Sequence, residues 1–332
     1  MASIAHLGYG YWGRNIARNF SELGCLAAIV DADEKAATAA ADILDVRPAA
    51  LDEVLSDRAI DAVSIASPAE IHFAHAEAAL KAGKHVFVEK PLALDTGHAK
   101  TLLDLAKRNG LILMVGHLLQ YHPVYCRLRE MVSGGDLGRL QYLYSNRMSL
   151  GKFRREENVL WSFAPHDISM ILGLTGERPS DVSAQGAAVF TPGVADMVTT
   201  QLGFPSGLRA HIQVSWMHPF KEQRLVVIGE KAMAVFEDSA PEWKDKLRLY
   251  RHRIDRSGPV PLPAKAEPEA VPVGRAEPLK EECRHFIDCV DNRRTPRTDG
   301  QEGLLVLDVL ERAERALRKN IGLDAGRAEG AG

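Results

Sequence analysis

The stretch SIAHLGYGYWG, residues 3–13, places a short apolar segment directly before three glycines in the spacing GxGxxG. We expect residues 3–7 to form a strand and residues 14–23 a helix. Between them, the first glycine permits a tight turn, the second lets the backbone approach a pyrophosphate, and the third allows helix and strand to pack closely. The helix N-terminus would bind the pyrophosphate charge. The stretch therefore predicts a dinucleotide-binding βαβ unit, in which the cofactor contacts are Gly8, Gly10, Tyr11, Trp12 and Gly13.

An acidic residue indicates which dinucleotide binds. A second predicted strand, residues 26–30, ends in Asp31, at about the 20-residue distance from the glycines that is typical of this motif. A carboxylate there accepts both ribose hydroxyls of adenosine and repels a 2′-phosphate. Its neighbours Ala32, Asp33 and Glu34 bring no positive charge. We therefore predict NAD rather than NADP.

Strands and helices continue to alternate up to residue 120. Such alternation indicates a parallel sheet with right-handed crossovers, here a doubly wound Rossmann domain over residues 1–120. The further predicted strands are residues 62–66, 85–89 and 111–116, and the further predicted helices are residues 35–44, 51–55, 71–82 and 96–108.

One of these strands carries the residues most suggestive of chemistry. The stretch HVFVEKP, residues 85–91, runs from an apolar strand into Glu89, Lys90 and Pro91. Ligands of open α/β sheets bind outside the carboxyl ends of the strands, so Lys90 is a candidate for chemistry. The alternative is an ordinary exit from strand to loop with a solvated lysine. Parallel strands share this edge, which is expected to gather Gly8, Asp31, Ser67, Glu89, Lys90 and His117.

The pattern changes after residue 120. Longer segments alternate polar and apolar residues between short turns, which is typical of an antiparallel sheet with one polar face. We predict an α+β domain over residues 121–320 and a loose tail over 321–332. A segment rich in Pro and Ala, residues 256–278, is expected to wander over the surface. The predicted strands are residues 140–148, 181–190, 197–204, 208–216, 224–228 and 232–237, and the predicted helices are residues 124–133, 165–174, 278–292 and 303–318.

The composition excludes several classes of protein. The 332 residues carry a net charge of -3 without a basic stripe, so neither nucleic acid nor an anionic membrane is an expected partner. No apolar segment approaches the length of a membrane span, and the N-terminus enters a strand without a signal peptide. The four cysteines show neither CxxC nor a ligand spacing with histidine. We therefore expect free thiols in a reducing cytoplasm, and no metal site.

Four motifs together identify a family. They are GYGYWG at residues 8–13, Ser67-Pro68 with His72, Glu89-Lys90-Pro91, and Thr298-Asp299-Gly300 before the last helix. In order and spacing, up to about residue 319, the chain resembles the Gfo/Idh/MocA oxidoreductases. The resemblance implies NAD(H) or NADP(H), a sugar or cyclitol substrate, and hydride transfer at a ring carbon.

The same resemblance implies structure and residue roles. A Rossmann domain is followed in this family by a domain with a large, mostly antiparallel open sheet, whose open face commonly forms a homodimer or homotetramer. Lys90 would be the active-site lysine, and Lys90-Pro91 is often a cis peptide, in line with the rule that cis bonds belong to X-Pro. The further cofactor contacts implied are Ser67, Pro68, His72, Glu89 and Lys90.

The chain departs from the family at one position. Many members carry an aspartate four residues before the active-site histidine; here the histidine is His166 and the matching residue is Ser162. Asp167 would point about 100° away from His166 on a helix, so it does not automatically replace that aspartate. We expect Ser162 to be a helix N-cap with Pro165 in the first turn. His166 remains the predicted base, because imidazole titrates near neutral pH, and a capped or solvated histidine is the alternative.

Residues 116–123 and 158–168 resemble a branch of the family that acts on nucleotide-linked amino sugars. This likeness implies NAD-dependent oxidation of UDP-N-acetylglucosamine at its C3 hydroxyl, giving a 3-keto sugar for a partner aminotransferase. A basic loop with Lys152, Arg154 and Arg155 suits a diphosphate, although such a run is also typical of solvated surface. For Tyr121 and His122, domain packing is the alternative to sugar contact. The predicted substrate contacts are Tyr121, His122, Arg154, Arg155 and Asp167.

Other functions compete with this one. An NADPH-dependent sugar ketoreductase would run the chemistry backwards, and a UDP-N-acetylglucosaminuronate 3-dehydrogenase would act on a related sugar. A redox-sensing regulator would bind NAD(H) without turnover. Asp31 argues against NADPH, whereas Lys90 and His166 argue against a sensor, which needs neither residue.

Overall fold

The protein is described by a computed structural model, which covers residues 1–151, 153–155, 157–255 and 257–321. These residues form two compact units. The first contains residues 1–122 and 276–308, and the second contains residues 123–275 and the chain after residue 308. The predicted tail lies outside the described residues from residue 322 onward.

A parallel sheet of six strands forms the centre of the first unit. Its strands are Ile4–Leu7 (β1), Leu26–Val30 (β2), Arg47–Pro48 (β3), Ala62–Ile65 (β4), His85–Glu89 (β5) and Leu113–Gly116 (β6). Its helices up to residue 122 are Gly13–Glu22 (α1), Glu34–Leu44 (α2), Leu51–Ser56 (α3), His72–Lys81 (α4) and Thr96–Asn109 (α5), with 3-10 turns at Ala69–Ile71 and Leu118–Tyr121. The strand order β3-β2-β1-β4-β5-β6 is that of a Rossmann domain, so the predicted doubly wound sheet is confirmed.

Later residues return to complete this unit. The helix Pro278–Asn292 (α8) begins and ends where predicted, and its apolar face is buried in the same core as β5. The ring centroid of Phe286 lies 5.7 Å from that of Phe87 on β5 and 6.3 Å from that of Phe20 on α1. The contiguous second domain expected over residues 121–320 thus differs from the observed packing, because α8 buries its apolar face against the Rossmann sheet.

The second unit is built on a sheet of eight strands. Its strands are Leu140–Leu150 (β7), Asp181–Ala187 (β8), Met197–Gly203 (β9), Arg209–Ser215 (β10), Met217–Gly229 (β11), Met233–Glu237 (β12), Leu247–Tyr250 (β13) and Glu269–Ala270 (β16). Two further strands, Arg253–Asp255 (β14) and Leu262–Ala264 (β15), form a separate pair. The helices are Pro123–Ser133 (α6), Val159–Thr175 (α7) and the part of Gly300–Asn320 (α9) after residue 308, with a 3-10 turn at Trp243–Asp245.

All neighbouring strands of the large sheet are antiparallel except β7 and β10, which run parallel. The predicted mostly antiparallel sheet is therefore confirmed. Alternate residues of β10 are buried, as in Ala210, Ile212 and Val214, while His211 and Gln213 between them are half-buried. Within the segment expected to wander over the surface, residues 262–264 and 269–270 form short strands.

The start of α7 differs from the prediction. The helix begins at Val159, and its N-cap is Asn158, whose side-chain oxygen accepts the N–H groups of Leu160 (3.1 Å) and Trp161 (3.3 Å). The expectation that Ser162 caps a helix starting near Pro165 is therefore wrong. Pro165 lies inside the helix, where the burial of its apolar surroundings outweighs the usual cost of an interior proline.

The sulfur chemistry agrees with the sequence. The four cysteines are free thiols, as predicted, and Cys25, Cys283 and Cys289 are buried.

In the part of the chain that the structure describes, no helix combines the length and the apolar character that a membrane crossing requires.

The N-cap assignment can be tested by substitution. Asn158→Ala should lower the free energy of unfolding by about 1–2 kcal/mol, because two N–H groups of the first turn of α7 lose their acceptor. Asn158→Ser should recover most of this loss, since serine also caps, although it gives up the 2.8 Å hydrogen bond from Asn158 to Glu314. Urea unfolding measures both values. An Ala variant as stable as the wild type would contradict the assignment.

Candidate active site

The three glycines of the first turn have different steric surroundings. Gly8 has a φ of +94°, and a Cβ there would lie 2.7 Å from the backbone nitrogen of Ser67. A Cβ on Gly13 would lie 1.9 Å from the carbonyl oxygen of Gly8, so only glycine lets α1 approach β1 this closely. At Gly10, by contrast, no atom of the described residues beyond its two chain neighbours lies within 4 Å of such a Cβ. The turn thus leaves open space beside Gly10, and the first turn of α1 has no acidic residue to repel a pyrophosphate.

A cavity of about 620 Å³ lies over the carboxyl ends of β1 and β2. Asp31 lines it and is held in place by two backbone donors: Tyr9 N–H donates to one carboxylate oxygen (2.6 Å) and Asp33 N–H to the other (2.9 Å). Glu34 and Glu53 add negative charge, and the described residues that line the cavity include no Lys or Arg. This electrostatic character fits two ribose hydroxyls and disfavours a 2′-phosphate. The cavity therefore fits the adenosine end of NAD.

Trp12 and Glu89 form a contact that the sequence did not reveal. The indole N–H of Trp12 donates to a carboxylate oxygen of Glu89 at 2.6 Å, and the backbone N–H of Lys90 donates to the other at 3.2 Å. Burial raises the pKa of Glu89, and the Trp12 hydrogen bond opposes that rise. A Cβ on Gly116, the partner of Glu89 on β6, would lie 2.9 Å from the carboxylate. These contacts join the glycine-rich turn to the end of β5. Tyr11, the neighbour of Trp12 in this turn, is almost fully exposed.

Lys90 directly follows β5 and is half-buried. The Lys90-Pro91 peptide is cis, as the resemblance implied. The ring of His72 lies 2.8 Å from the carbonyl oxygen of Pro91 and 2.8 Å from that of Ser67. Burial lowers the pKa of His72, and a neutral ring donates to only one carbonyl at a time. His72 therefore connects the turns that follow β4 and β5 from a buried position.

The edge next to β5 is closed by residues from α9. His117, which follows β6, lies 2.6 Å from Glu302, and its side chain is buried. The backbone N–H of Glu302 in turn donates to Asp299 at 2.9 Å. The sequence predicted that His117 lies at this edge, but it did not predict that Glu302 is the partner of His117. The Thr298-Asp299-Gly300 motif directly before Glu302 was the feature that could have indicated it.

Tyr121 takes the packing role that the sequence left as the alternative. Its hydroxyl lies 3.0 Å from the hydroxyl of Thr298, which donates to Val115 at 2.7 Å. Burial raises the pKa of Tyr121 well above its usual value. The predicted sugar contact of Tyr121 is therefore not supported, because its hydroxyl is buried among first-unit residues. His122 is also buried, at 5% exposure.

In the second unit, α7 carries His166 and Asp167, and the structure gives them different environments. His166 is half-buried, whereas Asp167 is fully buried. The Asp167 carboxylate accepts two bonds from Arg147 (2.7 and 3.3 Å) and one from the hydroxyl of Ser145 (2.5 Å). The predicted substrate contact of Asp167 is therefore contradicted: this carboxylate ties α7 to β7. Ser162 lies one turn before His166, on the same side of the helix.

The basic loop before α7 is only partly described. Arg154 forms an ion pair with Glu157 at 2.5 Å, and Arg155 is exposed. Lys152, the third predicted member, lies outside the described residues. The exposure of Arg155 is compatible with the predicted diphosphate contact. Arg154 is less suited to that contact, because its positive charge is already paired with the Glu157 carboxylate.

Comparison with known families identifies the class of protein. Residues 2–117 match the oxidoreductase family with an NAD-binding Rossmann fold, and residues 125–235 match the GFO/IDH/MocA C-terminal domain. The chain belongs to the Gfo/Idh/MocA family of oxidoreductases. It is an NAD-binding enzyme of the sugar dehydrogenase class, as the motifs predicted.

Individual relatives differ in their substrates. UDP-N-acetylglucosamine 3-dehydrogenase of Acidithiobacillus ferrooxidans is 32% identical over 304 residues, covering 91% of this chain and 92% of the relative. A solved structure of that enzyme has a TM-score of 0.85 at 28% identity and covers 96% of this chain and 98% of the other. The scyllo-inositol 2-dehydrogenase (NAD(+)) of Bacillus subtilis is 26% identical over 293 residues, covering 83% and 81%. Family membership alone therefore leaves the sugar open.

The role of Asp31 yields a prediction about the cofactor. Wild-type protein should bind NADH more tightly than NADPH, and Asp31→Ala should narrow that preference, because the carboxylate that accepts the ribose hydroxyls and repels the phosphate is gone. Fluorescence titration gives the four Kd values. Asp42→Ala, on the exposed side of α2, is the matched control. Equal affinity of the wild type for NADH and NADPH would show that Asp31 does not select the cofactor.

Proposed function

We propose that the protein oxidises UDP-N-acetylglucosamine at its C3 hydroxyl with NAD. The observation that carries this proposal is the 32% identity, over 91% of the chain, with an enzyme named for that reaction. The positions of Lys90 at the edge of the Rossmann sheet and of His166 on α7 support it, because the oxidation needs acid–base groups. NAD, when bound, accepts the hydride.

The chain supplies the remaining chemistry through two residues. The hydroxyl proton must leave as the hydride departs, and the developing alkoxide needs a compensating charge. We assign proton removal to His166, because histidine is the side chain most often used as a general base. Lys90, as an ammonium, stabilises the alkoxide. In the competing mechanism, Lys90 performs both tasks and His166 only orients the sugar.

The product and the assembly extend the same proposal. A 3-keto sugar nucleotide is the substrate class of an aminotransferase, which we propose as the downstream partner.

We further propose self-association, as a homodimer or homotetramer, through the large sheet of the second unit. Support comes from the aromatic side chains along this sheet: the Tyr144 and His211 rings stack with centroids 5.2 Å apart, and Phe220 is 61% exposed.

A small substrate panel tests the reaction. UDP-N-acetylglucosamine, UDP-N-acetylgalactosamine, UDP-glucose, UDP-N-acetylglucosaminuronate and free inositol are incubated separately with enzyme and NAD, and products are identified by mass spectrometry. We expect loss of two hydrogens from UDP-N-acetylglucosamine, with NADH formed in equal amount. Preference for the uronate or for inositol would reassign the substrate. NAD binding without turnover of any sugar would favour the regulator.

The division of labour between Lys90 and His166 gives a further prediction. Lys90→Ala and His166→Ala should each lower kcat by about 10²–10⁴-fold, the usual contribution of general acid–base catalysis. The Kd for NADH should stay near the wild-type value in His166→Ala. Lys81→Ala and His98→Ala, both on the surface of the first unit, are matched controls. Near-normal kcat of His166→Ala across the pH profile would leave Lys90 as the sole acid–base group.

The basic loop gives a separate prediction. If Arg155 binds the diphosphate, Arg155→Ala should raise the KM for the nucleotide sugar through loss of a charge-assisted hydrogen bond, which costs about 1.5–3 kcal/mol. Arg154→Ala should have a smaller effect, because Arg154 already pairs with Glu157. The KM of each variant is measured by steady-state kinetics with UDP-N-acetylglucosamine and with free N-acetylglucosamine. An unchanged KM, with equal turnover of the free sugar, would show that the loop is solvated surface.

A further inference from the structure

His6 is a buried histidine on β1 that the proposed reaction does not use. Its side chain has no exposed surface, and each ring nitrogen lies at hydrogen-bonding distance from a partner. Nδ1 lies 3.1 Å from the hydroxyl oxygen of Ser64, the residue that pairs with His6 on β4. Nε2 lies 3.0 Å from the carbonyl oxygen of Gly8. The histidine thus contacts the glycine-rich turn from a buried position.

These contacts determine which ring nitrogen of His6 carries the proton. A carbonyl oxygen can only accept, so Nε2 must donate its N–H to Gly8. Burial lowers the pKa of His6 to about 4, so the ring is neutral at physiological pH and has a single N–H. Nδ1 therefore accepts, and the hydroxyl of Ser64 donates to it. Ser64 and Gly8 together select the Nε2–H tautomer.

The peptide group between Gly8 and Tyr9 connects His6 with Asp31. Its carbonyl oxygen accepts from His6, and its N–H donates to a carboxylate oxygen of Asp31 at 2.6 Å. The peptide is trans, so its C=O and N–H point in opposite directions, and a bond that fixes one also fixes the other. A peptide turned the other way round would direct its carbonyl oxygen toward the carboxylate, where two acceptors repel each other.

The Asp31 carboxylate depends on this peptide for its position. Its other oxygen accepts the N–H of Asp33 at 2.9 Å, a local contact within the same loop. Among the described residues, the N–H of Tyr9 is therefore the donor that ties the carboxylate to the glycine-rich turn. Asp31 also lines the cavity that fits the adenosine end of NAD. The direction of one peptide thus sets where the carboxylate lies relative to the cofactor turn.

We propose that His6 is a positioning residue for cofactor selection: by donating to the Gly8 carbonyl, it holds the Gly8-Tyr9 peptide in the orientation that presents its N–H to Asp31. The carboxylate is thereby kept where it can accept the ribose hydroxyls of NAD and repel a 2′-phosphate. This role depends on the predicted selection of NAD by Asp31, and it is independent of the sugar that the enzyme oxidises.

Cofactor affinities test this role. The ratio of the Kd for NADPH to the Kd for NADH is determined by fluorescence titration without sugar. His6→Leu removes the donor to Gly8 and should lower that ratio about fivefold, the size expected for one hydrogen bond. His6→Gln, whose amide N–H can replace the Nε2 donor, should keep most of the wild-type ratio. His6→Met provides the same comparison if the Leu variant does not fold.

A matched control and a double variant separate positioning from a general loss of structure. His85 is a second buried histidine, on β5, and its Nδ1 accepts the N–H of Ile112 at 2.8 Å. His85→Leu should lower stability and leave the ratio unchanged. In an Asp31→Ala background, His6→Leu should cause no further fall, because the carboxylate that it positions is gone. An unchanged ratio in His6→Leu, or an equal fall in the Asp31→Ala background, would overturn the proposal.

The tautomer of His6 can be observed directly in the wild-type protein. ¹⁵N NMR of protein labelled at histidine should show the His6 proton on Nε2 at pH 7. The signal is assigned by its absence from the spectrum of His6→Gln. A proton on Nδ1 would contradict the proposal, because Nε2 would then direct a lone pair at the Gly8 carbonyl and could not hold the peptide.

The binding measurements also separate this proposal from the proposed function, because they contain no sugar. A substrate panel without turnover, together with a ratio that falls only when Asp31 is present, rejects the proposed function and supports the role of His6. Turnover of UDP-N-acetylglucosamine with an unchanged ratio in His6→Leu rejects only the role of His6. An Asp31→Ala variant with the full wild-type ratio rejects both the selection by Asp31 and its positioning by His6.

Discussion

The hydrogen bond from Trp12 to Glu89 is the interaction on which the first unit's functional edge depends. It joins the turn that fits the pyrophosphate to the strand that presents Lys90, so two elements distant in sequence keep a fixed relation. Because the Glu89 carboxylate is buried, the bond forms where water competes little, and its loss would leave that carboxylate with the backbone N–H of Lys90 as its remaining hydrogen-bond donor among the described residues. The missing side chain of Gly116 makes room for it. The glycine-rich turn and the end of β5, which leads into Lys90, are thus parts of one hydrogen-bonded structure.

The first unit was predictable where local rules are strong. The spacing of Gly8, Gly10 and Gly13 between a strand and a helix leaves few alternatives, since Gly8 and Gly13 are sites where a Cβ would clash and Gly10 lies beside open space. Parallel strands then place their carboxyl ends along one edge, and Lys90 falls there without knowledge of distant contacts. The packing of α8 on the first unit could not be predicted, because an amphipathic pattern shows that a helix has a buried face but not which surface that face packs against. Glu282 is a polar residue within that buried face.

The second unit shows where sequence reasoning fails. Pro165 marked a helix start by its usual preference, but buried packing carries α7 back to Asn158, which is itself a good cap. Asp167 follows His166 directly and suggested a shared site, yet its carboxylate belongs to a buried ion pair with Arg147. In the first unit, Tyr121 is likewise engaged by Thr298. In the last two cases, a polar residue near a predicted site residue is hydrogen-bonded by partners from another element, and a linear sequence does not show such partners.

The return of α8 has a consequence for biosynthesis. The ribosome releases the six strands of the Rossmann sheet first, but residues 123–275 must emerge before the helix that seals its core. Until then, Phe20 and Phe87 lack their contacts with the ring of Phe286. Nascent chains with uncovered apolar surface are substrates for chaperones and prone to aggregation. The cofactor-binding unit, although encoded first, therefore cannot complete its packing until residues 276–308 have been synthesised.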